Sequence, residues 1–298
     1  MYLDHEQIKK IISYDALVPE MRRALIEFSA GRVAQPLRTI LAVPQHQGRF
    51  AVMPAVYGDV MGTKMVSVYP GNAPRNLPTH SSEIHLFSAV TGQSLAILHG
   101  DLITEMRTAA VSSIATDLLS PPNARILAIL GAGTQARAHA TALRRVRSFD
   151  EIYVWSRNPI AAQNLAREIG GKAATIEEAV RNADVIVTAT SASEPILRGD
   201  QMKQKALIVA VGAVGPSLRE LDDAAMTGAV VVESREAALH ESGDVILSGA
   251  TVYAELGELL SGTRSLPKTD RIIYKSLGIA VEDVATANLI FKLVSAAL

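Results

Sequence analysis

A strand, a glycine turn, a helix and a second strand follow one another without interruption over residues 126–158, and this stretch constrains the chain more than any other. The apolar run Ile126-Leu127-Ala128-Ile129-Leu130 passes directly into Gly131-Ala132-Gly133-Thr134-Gln135-Ala136. Helical spacing follows at Ala138, Ala142, Leu143 and Val146. A second apolar run, Ile152-Tyr153-Val154-Trp155, then ends in Ser156-Arg157-Asn158. This is the layout of a dinucleotide-binding βαβ unit. Gly131 permits the tight turn, Gly133 lets the backbone approach a pyrophosphate, and Ala136 replaces the third glycine with a residue small enough for helix–strand packing. The helix start at Thr134-Gln135-Ala136 presents free N–H groups and a positive dipole end to the phosphates. An NAD site usually carries Asp or Glu at the end of the second strand to hold the ribose 2′-hydroxyl. Here Ser156-Arg157 stand there instead, and a hydroxyl and a guanidinium can bind a 2′-phosphate that an acid would repel. The expected cofactor is NADP(H), with NAD(H) second.

The rest of the chain narrows the class. With 298 residues, one or two domains with a sizeable core are expected. A net charge of −1 gives no electrostatic footprint for nucleic acid or an anionic membrane. The absence of cysteine removes disulfides and thiolate chemistry and fits a reducing compartment. No secretory signal opens the chain and no apolar stretch reaches spanning length, so a cytoplasmic protein is expected. The seven histidines are scattered without ligand spacing, so no metal is expected.

In chain order, residues 4–30 read as two helices. Period-two stretches at 36–43, 49–56, 60–69, 83–90 and 94–99 read as strands of a mostly antiparallel sheet. A helix over 104–119 takes Thr104 as its N-cap, and Pro121-Pro122 marks a boundary. Beyond the βαβ unit, strands at 184–190, 206–212, 229–234 and 271–276 alternate with helices, and a last helix spans 280–297. The expected fold class is α/β: a Rossmann-type doubly wound parallel sheet over 120–278 plus a smaller α+β substrate and dimerisation domain over 1–119, which the closing helix, 279–298, rejoins.

Three cations sit where sequence logic does not want them. Lys64 alternates onto the face of Val66 and Val68, and Arg38 onto that of Ile40 and Ala42. Arg107, if Thr104 caps its helix, lies in the first turn, where the dipole disfavours positive charge. Cations on apolar faces must snorkel or find an anion. Convergence on a substrate carboxylate explains all three, and pairing with a structural acid such as Glu83 is the plainer alternative. Thr188 and Thr190, Gly212, and Ser276 fall at the C-terminal ends of parallel strands, where cofactor contacts belong. Asp283 is the acid best placed near the nicotinamide, or it caps the last helix.

Several stretches resemble the ornithine cyclodeaminase/mu-crystallin family, and within it the ketimine reductase branch. They are Met53-Pro54-Ala55, Thr63-Lys64, Arg107-Thr108-Ala109-Ala110-Val111-Ser112, Leu130-Gly131-Ala132-Gly133, Glu241-Ser242-Gly243-Asp244 and Lys275-Ser276-Leu277-Gly278-Ile279-Ala280-Val281-Glu282-Asp283. The resemblance implies a homodimer through the N-terminal sheet, with Arg38, Lys64 and Arg107 as substrate-binding cations. The expected catalytic residues are Arg107, binding the substrate carboxylate, and Lys64, binding it or protonating the imine. The resemblance also implies cofactor-flanking positions at Thr79 and His80 and a 2′-phosphate site at Ser156-Arg157-Asn158. One departure matters. Cyclodeaminases of the family carry an aspartate two residues after the glycine that ends a strand, and here Gly212-Ala213-Val214 puts a valine there. Valine cannot move a proton, so the expected activity is NADPH-dependent reduction of a small cyclic ketimine carboxylate, Δ1-pyrroline-2-carboxylate or Δ1-piperideine-2-carboxylate, to proline or pipecolate. The rival readings are an amino-acid dehydrogenase or cyclodeaminase using another base, and a non-catalytic NADPH-dependent binding protein.

Overall fold

A computed structural model describes residues 1–296. The chain divides into two compact units, Met1–Arg107 with Gly278–Leu298, and Thr108–Leu277. The division falls at Arg107, inside a helix, and not at Pro121-Pro122. The last two residues of the expected closing segment lie outside the described residues.

The first unit is a sheet covered on one face by helices. Its strands are β1 (Tyr2–Leu3), β2 (Val33–Ala34), β3 (Thr39–Val43), β4 (Gly48–Tyr57), β5 (Val60–Val68), β6 (His80–Ser88) and β7 (Ser94–His99). Their order is β1-β7-β6-β5-β4-β2, with β3 also on β4, and every pairing except β1–β7 is antiparallel. Alternation sorts the residues: Met53 and Ala55 of β4, Val60 and Lys64 of β5, and Ile84 and Leu86 of β6 are all buried. Against that face packs the closing helix Ala280–Ser295, and helix Tyr14–Ser29 packs in turn against the closing helix. Gly62 makes this approach feasible, since a Cβ there would lie 3.3 Å from Val284 Cγ2 and 2.6 Å from the His85 carbonyl.

Two expectations about this unit fail for local reasons. Arg38 precedes β3, and Ile40 on that strand is 51 % exposed, so alternation onto an apolar buried face does not describe it. The long helix runs Gly100–Leu119, a turn earlier than Thr104 suggests. Arg107 is therefore not in the first turn, and the dipole argument for it falls away.

The second unit is an all-parallel sheet. Its strands are β8 (Ile126–Leu130), β9 (Glu151–Trp155), β10 (Lys172–Ala173), β11 (Val185–Thr188), β12 (Ala206–Ala210), β13 (Ala229–Val232), β14 (Val252–Glu255) and β15 (Arg271–Lys275), ordered β10-β9-β8-β11-β12-β15-β13-β14. β8, β11 and β12 are buried almost throughout, as strands covered on both faces must be. The order reverses between β8 and β11, the switch point at which such sheets open a crevice.

Candidate active site

In the first unit, β5, the long helix and the closing helix bring a buried group of charges together. Lys64 Nζ lies 2.7 Å from Asp283 Oδ2 and donates to Thr104 Oγ1 at 3.4 Å. Arg107 donates from Nε to Asp283 Oδ1 at 3.0 Å and from Nη1 to Glu282 Oε2 at 2.7 Å. Asp283 thus bridges the two cations. Each of these four side chains is at most 4 % exposed. Arg38, half-buried, donates from Nη2 to the Gly278 carbonyl at 2.9 Å. Gly278 has φ +72°, and a Cβ there would sit 2.3 Å from Arg107 Nη1, so glycine serves both the turn and the guanidinium. The closing helix has Ile279 at its N-cap, which cannot cap. Gln35 Oε1 instead accepts from the Val281 N–H at 2.7 Å, fixing the turn that carries both acids.

Burial pushes the Lys64 ammonium down to about 8, with the Arg107 charge acting in the same direction and Asp283 opposing it. Burial alone would raise Asp283, but Arg107 and Lys64 outweigh it and hold the carboxyl below its usual range. The result is a permanently ionised acid beside an ammonium able to give up a proton near neutral pH. Glu83, the acid considered for these cations, is instead on the other face of β6, with a half-exposed carboxylate 3.5 Å from His85 Nε2. Asp283 is not a cap. Thr79 and His80 also lie in this unit, at the start of β6, joined by a 3.1 Å contact between Thr79 Oγ1 and His80 Nδ1. A polar concavity of about 580 Å³ between the turns Pro44–His46 and Pro70–Arg75 is lined by His46, Tyr69 and Asn72 among others. It includes none of the buried charged groups, so its size says nothing about the chemistry.

In the second unit the glycine turn sits at the sheet's switch point. Gly131 has φ +134°, and a Cβ there would meet the Ala189 carbonyl at 2.4 Å. Gly133 is the N-cap of helix Thr134–Leu143 and supplies no side-chain cap, so no side chain takes up the helix's first N–H groups there. A Cβ on Gly133 would meet nothing within 4 Å, which leaves open space in front of those N–H groups. Ala136 is fully buried. His139, one turn on, ties this helix down: its Nδ1 donates to the Gln135 carbonyl at 2.7 Å, and its Nε2 accepts from Ser112 Oγ at 2.9 Å. Burial pushes the imidazole down to about 4, which keeps it neutral in that role.

The segment after β9 presents donors. Ser156 Oγ accepts from the Asn158 N–H, and Asn158 Oδ1 caps the next helix by accepting from Ile160 and Ala161, which leaves the hydroxyl proton and the amide NH2 to donate. Arg157 is exposed. No carboxylate falls between Trp155 and Pro159. This set and the Gly133 cradle fit a pyridine dinucleotide.

Four of the expected cofactor contacts are spent inside the protein. Thr188 and Thr190 both donate their hydroxyls to Glu220, at 2.8 and 2.7 Å, and the Gly212 N–H donates to the same carboxylate at 2.8 Å. Ser276 donates to Glu233 at 2.6 Å. Glu220, fully buried, is raised by that burial against the opposing charge of Lys275. It fastens the ends of β11 and β12, while Asp244, receiving the Glu220 and Leu221 N–H groups, pairs with Lys275 at 3.0 Å. Sequence reasoning missed Glu220, Glu233 and Glu282 as members of these networks. Glu220, within Leu218-Arg219-Glu220-Leu221-Asp222, reads like any solvated acid, and only the resemblance hinted at Asp244, Lys275 and Glu282. Among the described residues, no group of three or more His, Asp or Glu is placed to hold a metal ion, and no helix is long and apolar enough to cross a membrane.

Known proteins share this architecture from end to end. The ketimine reductase mu-crystallin of Mus musculus is 44 % identical over 300 residues, 97 % of this chain and 96 % of the relative. The Thermococcus litoralis Δ1-pyrroline-2-carboxylate reductase, solved with NADH and L-proline, superposes with a TM-score of 0.94 at 33 % identity, covering 100 % of this chain and 98 % of that one. An archaeal alanine dehydrogenase dimer with bound NAD superposes with a TM-score of 0.93 at 29 % identity, covering 100 % and 97 %. The ornithine cyclodeaminase/mu-crystallin profile matches residues 1–297, and the chain belongs to that family.

Proposed function

We propose that this chain is an NADPH-dependent reductase of small cyclic ketimine carboxylates, converting Δ1-pyrroline-2-carboxylate or Δ1-piperideine-2-carboxylate to proline or pipecolate. The observation that carries the reading is the buried Lys64–Asp283–Arg107 bridge. It supplies an oriented guanidinium and a proton-bearing ammonium side by side. Reductases of this chemistry among the relatives, one of them solved with NADH and L-proline, support the substrate class.

The cofactor, when bound, supplies the hydride. Arg107, held on two nitrogens by Asp283 and Glu282, and Arg38 bind the substrate carboxylate and fix the imine carbon beside it. Lys64, protonated below about pH 8, delivers the proton to the imine nitrogen. Asp283, held ionised, serves as its counter-charge and is a poor acid. Val214 offers no proton-transfer group for the cyclodeaminase reaction, and reduction of a preformed imine needs none there.

NADPH is preferred over NADH on the strength of the donor set at Ser156, Arg157 and Asn158. Thr79 and His80 flank the cofactor, with Thr134, Gln135 and Ala136 at its phosphates. Thr188, Thr190, Gly212 and Ser276 shape the cofactor site through Glu220 and Glu233, their polar groups being committed there. We assign a homodimer through the outer face of the first sheet. Apolar residues are left exposed along its edge, Ile40 at 51 %, Leu41 at 57 % and Val56 at 39 %, and the archaeal relative is a dimer. Light scattering of the purified protein tests the dimer, and a monomer at micromolar concentration overturns it. NADPH oxidation with both cyclic imines, against pyruvate plus ammonia and ornithine plus NAD+, tests the activity. Turnover confined to the cyclic imines is expected. Turnover confined to the other two arms, or NADPH binding without turnover in any arm, overturns the reading.

A further inference from the structure

The segments that leave β11 and β12 are held together by one side chain from outside the sheet. Glu220 Oε1 accepts from the Thr190 N–H at 2.6 Å and from its hydroxyl at 2.7 Å. Oε2 accepts from the Thr188 hydroxyl and the Gly212 N–H, both at 2.8 Å, and from the Ala213 N–H at 3.3 Å. Five donors converge on this carboxylate, the surroundings an ionised acid requires in spite of its burial. Glu220 is itself gripped from behind. Asp244 Oδ1 accepts from its backbone N–H and from that of Leu221, and Asp244 Oδ2 lies 3.0 Å from Lys275 Nζ. Lys275 donates in turn to the Ala213 carbonyl at 2.7 Å, so fully buried charges pin both the N–H and the carbonyl of Ala213. Gly212 closes the gap: a Cβ there would lie 2.1 Å from the Thr190 carbonyl oxygen, so the two segments meet backbone to backbone.

Apolar packing would join two strand ends without burying charge. What the acid adds is orientation. The N–H groups of Thr190, Gly212 and Ala213 are set before any ligand arrives, and a preset edge loses little freedom on binding. The sheet order says which part of a dinucleotide meets that edge. Residues 156–158 follow β9 on one side of β8, the glycine turn follows β8 itself, and β11 and β12 lie on the other side. A dinucleotide with its adenosine half at β9 and its pyrophosphate at β8 therefore extends its nicotinamide half toward β11 and β12. We propose that Glu220 is a positioning residue that pre-orders the edge formed by Thr190, Gly212 and Ala213, and through that edge fixes the nicotinamide half of the cofactor. This rests on the cofactor site of the reading above, and not on the substrate assigned there.

Glu220→Gln is the diagnostic variant, because its NH2 faces a backbone N–H whichever way the amide is turned. At the Oε1 position it meets that of Thr190, and at Oε2 those of Gly212 and Ala213. The probes are NADP+ and 2′,5′-ADP, which lacks the nicotinamide half, titrated calorimetrically into native and variant protein. NADP+ should weaken at least about tenfold, equivalent to about 1.4 kcal/mol, with 2′,5′-ADP unchanged. An equal loss on both ligands, or no loss on NADP+, overturns the proposal and leaves Glu220 a structural tie. If the variant does not fold, amide exchange on the native, cofactor-free protein decides. The Thr190, Gly212 and Ala213 amides should exchange as slowly as those within β11 and β12. Fast exchange that slows only when NADP+ is added means an edge ordered by its ligand, and overturns the proposal. Neither measurement needs turnover, so native protein that binds NADP+ yet reduces no imine sinks the reductase reading and leaves this one standing. NAD+ bound more tightly than NADP+ sinks only the cofactor preference, and NAD+ against ADP then reads the same contrast. Native protein that binds neither dinucleotide overturns both.

Discussion

The two units hold their candidate ligands in opposite ways. In the second, the binding groups are backbone N–H donors at a helix start, and the side chains that matter are those absent at Gly131 and Gly133. In the first, the candidate binding groups are long charged side chains: buried acids from the other end of the chain orient Lys64 and Arg107, and the Gly278 carbonyl orients Arg38. A backbone site costs little to keep, because its dipoles are part of the helix. A side-chain clamp has to be neutralised, and each cation depends on its acid. The backbone site should therefore fail gradually when altered and the side-chain clamp abruptly.

Arg107→Ala gives the largest effect. It should lower kcat/KM by about 10²–10³-fold while NADPH affinity stays nearly intact. It should also cost about 3–5 kcal/mol of stability, because Glu282 and Asp283 are left buried without their partner. Adding Glu282→Gln should restore part of the melting temperature and none of the activity. Stability unchanged by Arg107→Ala would show that the clamp is not the coupled unit described here.

Gly131→Ala tests the other region. Its Cβ would lie 2.4 Å from the Ala189 carbonyl at φ +134°, so a loss of about 1–3 kcal/mol is expected, with weaker binding of NADPH and NADH alike in a fluorescence titration. Arg157→Ala should weaken NADPH by roughly 1.5–3 kcal/mol, the worth of a charged hydrogen bond, and leave NADH nearly unchanged. An equal loss for both cofactors removes Arg157 from the 2′-phosphate.

The pH profile sharpens the contrast. Lys64 acts in its protonated form, so kcat/KM should be level below its value of about 8 and fall as pH rises through it, while NADPH binding stays flat across that range. A rate that rises with pH there would make Lys64 a base. Asn158→Ala gives the smallest effect. With Oδ1 spent on Ile160 and Ala161, it should cost about 1 kcal/mol of stability, and loss of its amide donor should weaken NADPH by less than Arg157→Ala does while leaving NADH nearly unchanged.

What could be read in advance follows the same division. The glycine turn is written in consecutive residues, because positive φ at Gly131 and the change of period around it are local facts. Lys64 and Arg107 drew notice as misplaced cations, yet the reason given for Arg107 was wrong, since its helix starts at Gly100. Their partners were out of reach: Asp283 lies 176 positions from Arg107, and no periodicity links the two. Thr188, Thr190 and Ser276 were placed at the right strand ends, but whether a hydroxyl faces a ligand or a buried glutamate depends on Glu220 and Glu233, and neither announces its burial.

The division of the chain also sets an order of assembly. The second unit is one continuous stretch, Thr108–Leu277, and can complete its sheet as it leaves the ribosome. The first unit cannot. The closing helix, Ala280–Ser295, covers its buried face and carries the acids that meet Lys64 and Arg107. Until translation reaches that helix, Lys64 and Arg107 lack those acids, and the sheet face that the helix covers stays open. The charged group around Asp283 is thus the last part of the molecule to be finished, and a chain that ends before residue 280 lacks both Glu282 and Asp283.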